Sequence, residues 1–89
     1  MYFWISGACD FSSGHVQSSR EENIGMSNSA DECGMKAKTK RPNSIGATWS
    51  NDETQLCYAH FGKATFISGT PNRYGCFYRG NFIVLGFDL

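Results

Sequence analysis

Apolar residues come in short runs along this chain, most of them too brief for a helix and suited to strands. Tyr2-Phe3-Trp4-Ile5 opens the sequence and, with Ser6, reads as a first strand. Residues 10–27 are polar and rich in glycine and serine, with Glu21 and Glu22 beside Arg20, and read as a long loop tied down by Cys9. Ile45-Gly46-Ala47-Thr48-Trp49-Ser50 alternates large and small side chains. Asn51-Asp52-Glu53-Thr54 is turn chemistry, and Gln55-Leu56-Cys57-Tyr58-Ala59-His60-Phe61 returns, which predicts a hairpin. In the returning strand Cys57, Ala59 and Phe61 share one face, and Leu56, Tyr58 and His60 share the other. Residues 64–68 read as a shorter strand and Thr70-Pro71-Asn72 starts a turn. Cys76-Phe77-Tyr78 is short and extended, and Phe82, Ile83, Val84 and Leu85 form a last apolar strand.

One segment has a helix signature. Ser29-Ala30-Asp31-Glu32 is a capping box, in which the serine hydroxyl accepts from the Glu32 amide and the carboxylate reaches back. Acids in its first turn and Lys36, Lys38, Lys40 and Arg41 near its end suit the helix dipole, and Pro42 stops it. Ala30, Cys33 and Ala37 keep a narrow stripe of small residues that can lie flat on a sheet. The expected fold is therefore α+β: one helix packed on a curved antiparallel sheet, with both chain ends in that sheet and residues 1–89 in a single domain.

The four cysteines, at positions 9, 33, 57 and 76 of 89, change this picture most. A domain of this size buries only roughly 60–65% of its unfolded surface, so apolar burial alone leaves it marginal. An even cysteine count in so short a chain reads as a disulfide framework, and hence as an oxidising, extracellular setting. Four cysteines allow three pairings, of which the nested one, Cys33 with Cys57 inside Cys9 with Cys76, suits the order of elements. Zinc is the rival reading, but structural zinc sites bring ligands in close pairs. Here the nearest two cysteines are 19 residues apart, and neither His15 nor His60 completes a knuckle. No metal and no cofactor is expected.

The quoted segments together resemble a PAN/apple-type domain. Ser29-Ala30-Asp31-Glu32-Cys33 corresponds to the cysteine-bearing helix and Ile45-Gly46-Ala47-Thr48-Trp49 to the next strand. Cys57-Tyr58-Ala59-His60-Phe61-Gly62 and Tyr74-Gly75-Cys76-Phe77 follow in order, so the resemblance covers residues 9–78. The family commonly has six cysteines. Ala37 stands where a second helix cysteine is expected, and Asn43-Ser44-Ile45 lacks its partner, so both ends of that bridge are missing together. The resemblance implies an inner bridge Cys33–Cys57, an outer bridge Cys9–Cys76, binding of proteins or carbohydrates, and no catalysis. The family's ligands vary too widely for any binding residue to be carried over.

Candidate chemistry beyond the cysteines is sparse. Cys57 and His60 stand an odd number of positions apart in a strand, so they leave opposite faces and cannot share a proton; a bridged Cys57 beside a surface or half-buried His60 is expected. The formal charge is zero, which argues against nucleic acid as a partner, and no apolar run is long enough for membrane insertion. The start lacks a basic leader region and reads as a strand rather than a signal peptide. Lys36, Lys38, Lys40 and Arg41 are candidates for binding sulfated or acidic glycans. Trp4, Trp49, Tyr58 and Tyr74 are candidates for stacking on sugars, although aromatics in so small a domain belong first to the core. Phe82, Ile83, Val84 and Leu85 are a candidate assembly strand, since an uncovered apolar edge invites strand addition. The expected function is a secreted, non-enzymatic recognition or adhesion module for an extracellular protein or glycan. The alternatives are a self-associating subunit of an extracellular filament or matrix, and a small secreted effector or toxin.

Overall fold

The structure, a computed structural model, describes residues 9–79, and the strands expected at 2–6 and 82–85 lie outside the described residues. The elements run β1 (Ser12–Met26), α1 (Ala30–Lys40), β2 (Gly46–Ser50), β3 (Leu56–Ser68) and β4 (Arg73–Phe77). All pairings are antiparallel. β1 runs along β3, β3 along β2 and β2 along β4; β4 returns to β1 where Ser12 and Ser13 face Gly75 and Tyr74, so the curved sheet closes. The expected fold of one helix on a curved antiparallel sheet with two disulfides is the one observed.

Two expectations are corrected. Residues 10–27 are not a loop, because Ser12–Met26 is the longest strand of the fold. Only Gly14 and Val16 of it are buried, so its own residues give no alternating apolar signal. It is extended because its backbone pairs with β3. The strands expected at 55–61 and 64–68 are one continuous strand, Leu56–Ser68, with Gln55 before its start. The ladder shifts register between Ser18 and Arg20 and then resumes. Gly62, opposite that shift, has φ +77° and faces Ser19, whose side chain would collide with any Cβ placed there. Glycine thus permits a bulge within the strand instead of ending it.

The helix begins as its sequence requires. The Ser29 hydroxyl accepts from the Glu32 amide at 3.1 Å, and at the other end the Arg41 amide donates to the Ala37 carbonyl. What it buries is unusual, however: Cys33, Gly34 and Ala37, while Met35, its one large apolar side chain, is 70% exposed. Each methyl-sized side chain contributes roughly 1 kcal/mol or less. Fixing the backbone of these 11 residues opposes that with about 1–2 kcal/mol apiece before hydrogen bonds are counted. Trp49, Phe61 and Tyr78 gain some burial beneath the helix, yet its own surface cannot hold it in place. Cys33–Cys57 does so, with a Cα separation of 5.4 Å that small neighbours make possible. The second bridge, Cys9–Cys76 at 5.7 Å, lies against the same helix. A Cβ on Gly34 would sit 3.0 Å from that of Cys9, so this mid-helix glycine makes room for the outer bridge. The two bridges are nested, as the order of elements suggested.

A Cys33→Ala/Cys57→Ala double variant leaves no orphan thiol and tests the staple directly. Opening a link across 24 residues is expected to remove roughly 3 kcal/mol. That loss reads as a lower urea midpoint, with helical circular dichroism lost before the aromatic near-ultraviolet signal. An unchanged midpoint would show that packing alone holds α1.

Candidate functional site

The inner bridge and His60 sit on opposite sides of β3, as strand parity required. Cys57, Ala59 and Phe61 pack in the cluster under α1, while His60 bonds to Thr48 of β2 and Ser18 of β1. His60 is not at the surface or half-buried, as expected from the sequence, but 0% exposed. The physical reason is β1, which crosses that face as a strand.

His60 is the middle of a continuous hydrogen-bond relay whose direction can be assigned. The Ser18 hydroxyl lies 2.6 Å from the Arg20 carbonyl, which can only accept, so the hydroxyl proton points there. Ser18 Oγ therefore accepts from His60 Nδ1–H at 2.9 Å. His60 Nε2 is then a lone pair and takes the Thr48 hydroxyl proton at 2.8 Å, while Thr48 Oγ1 accepts from the Val16 amide at 3.0 Å. Every polar atom in the relay has a partner, and the imidazole is neutral. The Glu21 carboxylate stands 3.9 Å from Nδ1, too far for a hydrogen bond. No serine–histidine–acid nucleophile is built here, because Ser18 and Glu21 both face Nδ1 and the Ser18 proton is committed to a carbonyl.

Beside this relay is a cleft of about 310 Å³ lined by His15, Val16, Glu21, Thr48, Tyr58, Thr70 and Arg73, so all four strands and the β3–β4 turn contribute. Arg73 is positioned by Asp52, whose carboxylate takes Nη1 at 3.0 Å; Nη1 also reaches the Asn72 carbonyl. Asp52 is itself fixed by the Thr54 hydroxyl and amide, which, ahead of Arg73, hold its pKa at about 2. At the other end Thr70 donates to the Ile67 carbonyl and accepts from His15 Nδ1 at 2.9 Å, which leaves His15 Nε2 without a partner among the described residues. Among the described residues the Arg73 Nε and Nη2 groups, the Glu21 carboxylate, the Tyr58 hydroxyl and His15 Nε2 make no hydrogen bond. The relay is saturated, and the cleft above it is not.

The other candidates are dispersed. Lys36 donates to the Met26 carbonyl, and the Lys38 ammonium lies 5.5 Å from the centre of the Tyr78 ring. Arg41 grips both carboxylate oxygens of Glu22, which lowers the Glu22 pKa and raises that of Arg41. Lys36 and Lys40 share a helix face that Lys38 does not, so the four cations are not brought to one patch. Trp49 is 8% exposed, donates to the Ser27 carbonyl at 2.9 Å and packs on Tyr74 with ring centres 6.2 Å apart. Of the aromatic candidates, Tyr58 alone lines the cleft, and Trp4 lies outside the described residues with Phe82, Ile83, Val84 and Leu85. No cluster of three or more metal-ligating side chains occurs among the described residues, and no helix among them is long and apolar enough to cross a membrane. The cleft went unseen in the sequence because its polar residues come from five separate segments. The one legible signal was that Thr48 and His60 fall on the strand faces opposite Trp49 and Cys57.

Two outcomes follow from the relay. Thr48→Val keeps the side chain's shape but strands the Val16 amide and His60 Nε2. At about 1–3 kcal/mol for each unpaired buried group it is expected to cost roughly 2–6 kcal/mol in urea denaturation, with Thr48→Ser restoring most of the loss. The second outcome is a pH dependence. Burial, and then the charge of His15, push the His60 pKa down from 6.5 to about 4. Between those values the unfolded chain binds a proton that the folded chain refuses. Stability is therefore expected to fall by roughly 3 kcal/mol as the pH drops from about 6.5 to about 4. The lowered carboxylates Asp52 and Glu22 also favour the fold, but their contributions are lost only at lower pH, below their ordinary values. Denaturation at a series of pH values should show the decline above pH ~4.5 in the native chain, and His60→Gln should lack it.

Comparison with family models, with curated proteins and with solved structures gives no match, and the geometry carries the functional reading.

Proposed function

We propose that this chain is a secreted, non-enzymatic recognition module that binds an extracellular protein or carbohydrate in the cleft above the His60 relay. The observation that carries the reading is the contrast between the two groups of polar side chains. The buried set spends all its hydrogen bonds on structure, whereas in the cleft Arg73 and His15 are held in place while donors and acceptors around them stay unsatisfied. A site that is pre-positioned and unsaturated suits binding, because little ordering remains to be done when a ligand arrives. A neutral histidine whose two nitrogens are both engaged has no lone pair left for a substrate proton. Two nested disulfides support an extracellular setting, and the PAN/apple resemblance supports a module of this kind.

One observation favours a second reading, a self-associating structural subunit. Beyond Ser13 the outer edge of β1 has no strand partner among the described residues, and such an edge can accept a strand from another copy. Arg20, Glu21 and Glu22 lie along it, and charges on an edge oppose that addition. Light scattering at micromolar concentration separates the two readings. A monomer that is captured by immobilised glycans or cell-surface ectodomains, and whose capture is lost in Glu21→Gln/Arg73→Lys, is the expected outcome. Concentration-dependent growth into larger species without any capture would favour the filament subunit instead.

A further inference from the structure

Resting on that reading, we propose that the cleft bounded by Glu21, Tyr58, Arg73 and His15 is a binding site for a neutral saccharide. The argument begins from the hydrogen bonds left open. Arg73 keeps three N–H donors, one on Nε and two on Nη2, since Nη1 alone serves Asp52 and Asn72. Glu21 offers a carboxylate and is 58% exposed. His15 is held by Thr70 through Nδ1, which leaves Nε2 as a further polar atom, and the Tyr58 hydroxyl can both donate and accept. A ligand meeting unsatisfied donors and acceptors in one small cleft needs groups that do both. Hydroxyl groups fill that role: adjacent ones can donate into the two oxygens of a carboxylate and accept from a guanidinium fork.

Charge narrows the class further. Of the two opposite charges in the lining, Arg73 is already paired with Asp52 and Glu21 is not offset in this way, so a ligand anion meets net repulsion, and uronic, sialic and sulfated sugars are disfavoured. A cationic side chain is disfavoured in turn by the Arg73 guanidinium, whose unpaired N–H groups it cannot satisfy. Tyr58, half-buried in the lining, supplies an apolar ring surface for the C–H face of a sugar. A cleft of about 310 Å³ lies at the small end of the range for ligand sites, which suits one or two sugar rings. This site is separate from the basic end of α1, where a polyanion would have to bind.

Titration of the isotope-labelled whole chain with methyl glycosides of glucose, galactose, mannose and N-acetylglucosamine, with lactose and maltose, and with glucuronate tests the assignment by amide shifts. At least one neutral sugar is expected to move the amides around Glu21, Tyr58 and Arg73 saturably, at concentrations on the order of 1–10 mM. Glucuronate is expected to bind about ten-fold more weakly than its neutral counterpart. Glu21→Gln and Arg73→Lys should each weaken the neutral sugar about ten-fold while leaving the remaining amide spectrum in place. If Arg73→Lys disturbs the Asp52 turn, the exposed Glu21→Gln decides alone. Shifts confined to the end of α1, or glucuronate binding as tightly as glucoside, would overturn the cleft assignment and leave a recognition module standing. No shift with any sugar, together with capture of a protein ectodomain, would overturn the saccharide class alone. Failure of both sugars and ectodomains would remove the recognition reading as well.

Discussion

A helix with almost nothing large to bury has to be held by something other than apolar surface, and the rest of this structure depends on how that is done. Cys33 links α1 to β3 through Cys57 at a Cα separation of 5.4 Å. Gly34, next to it, leaves room for Cys9 and so for the outer bridge. Two covalent links therefore converge on one turn of helix. Loop closure by such bridges stabilises mainly by restricting the unfolded chain, and for a small domain that is comparable to the whole net stability.

On the far side of β3 the same problem is solved with polar groups. Val16, Thr48, His60 and Ser18 join β1, β2 and β3 by hydrogen bonds that run in one direction and leave no atom of the relay unpaired. Such a network is stable only while it is complete, since one missing partner exposes the full desolvation cost of another. Its neutral imidazole also makes the fold acid-sensitive in a range where the carboxylates are still ionised. The cleft sits beside this rigid seam and inherits its order: Thr48 belongs to both, and Arg73 and His15 are each oriented by a neighbour that is itself fixed.

How much could be read in advance differs by element. The helix with its Ser29 cap, the β2–β3 hairpin and the division of Cys57 and His60 between strand faces follow from local chemistry and strand parity, which act over a few residues. The nested bridges were suggested by the order of elements and the resemblance. β1 was not legible, since serine, glycine and glutamate carry the signal of a loop wherever they occur, and a long ladder with β3 outweighs them here. The strand was expected to stop at Phe61 and a second to start at residue 64, because nothing in the sequence shows that a bulge at Gly62 lets it continue.

The amino-acid sequence by itself thus determined the helix, the turn at Asp52, the alternation along the central strands and the framework of cysteines. Tertiary structure decided that β1 extends across the sheet, that His60 is buried and neutral, and that Glu21, Tyr58, Arg73 and His15 meet in one cleft. The physical reason is range. Caps, turns and parity are settled between residues a few positions apart, whereas burial and convergence arise only when strands distant in sequence are paired.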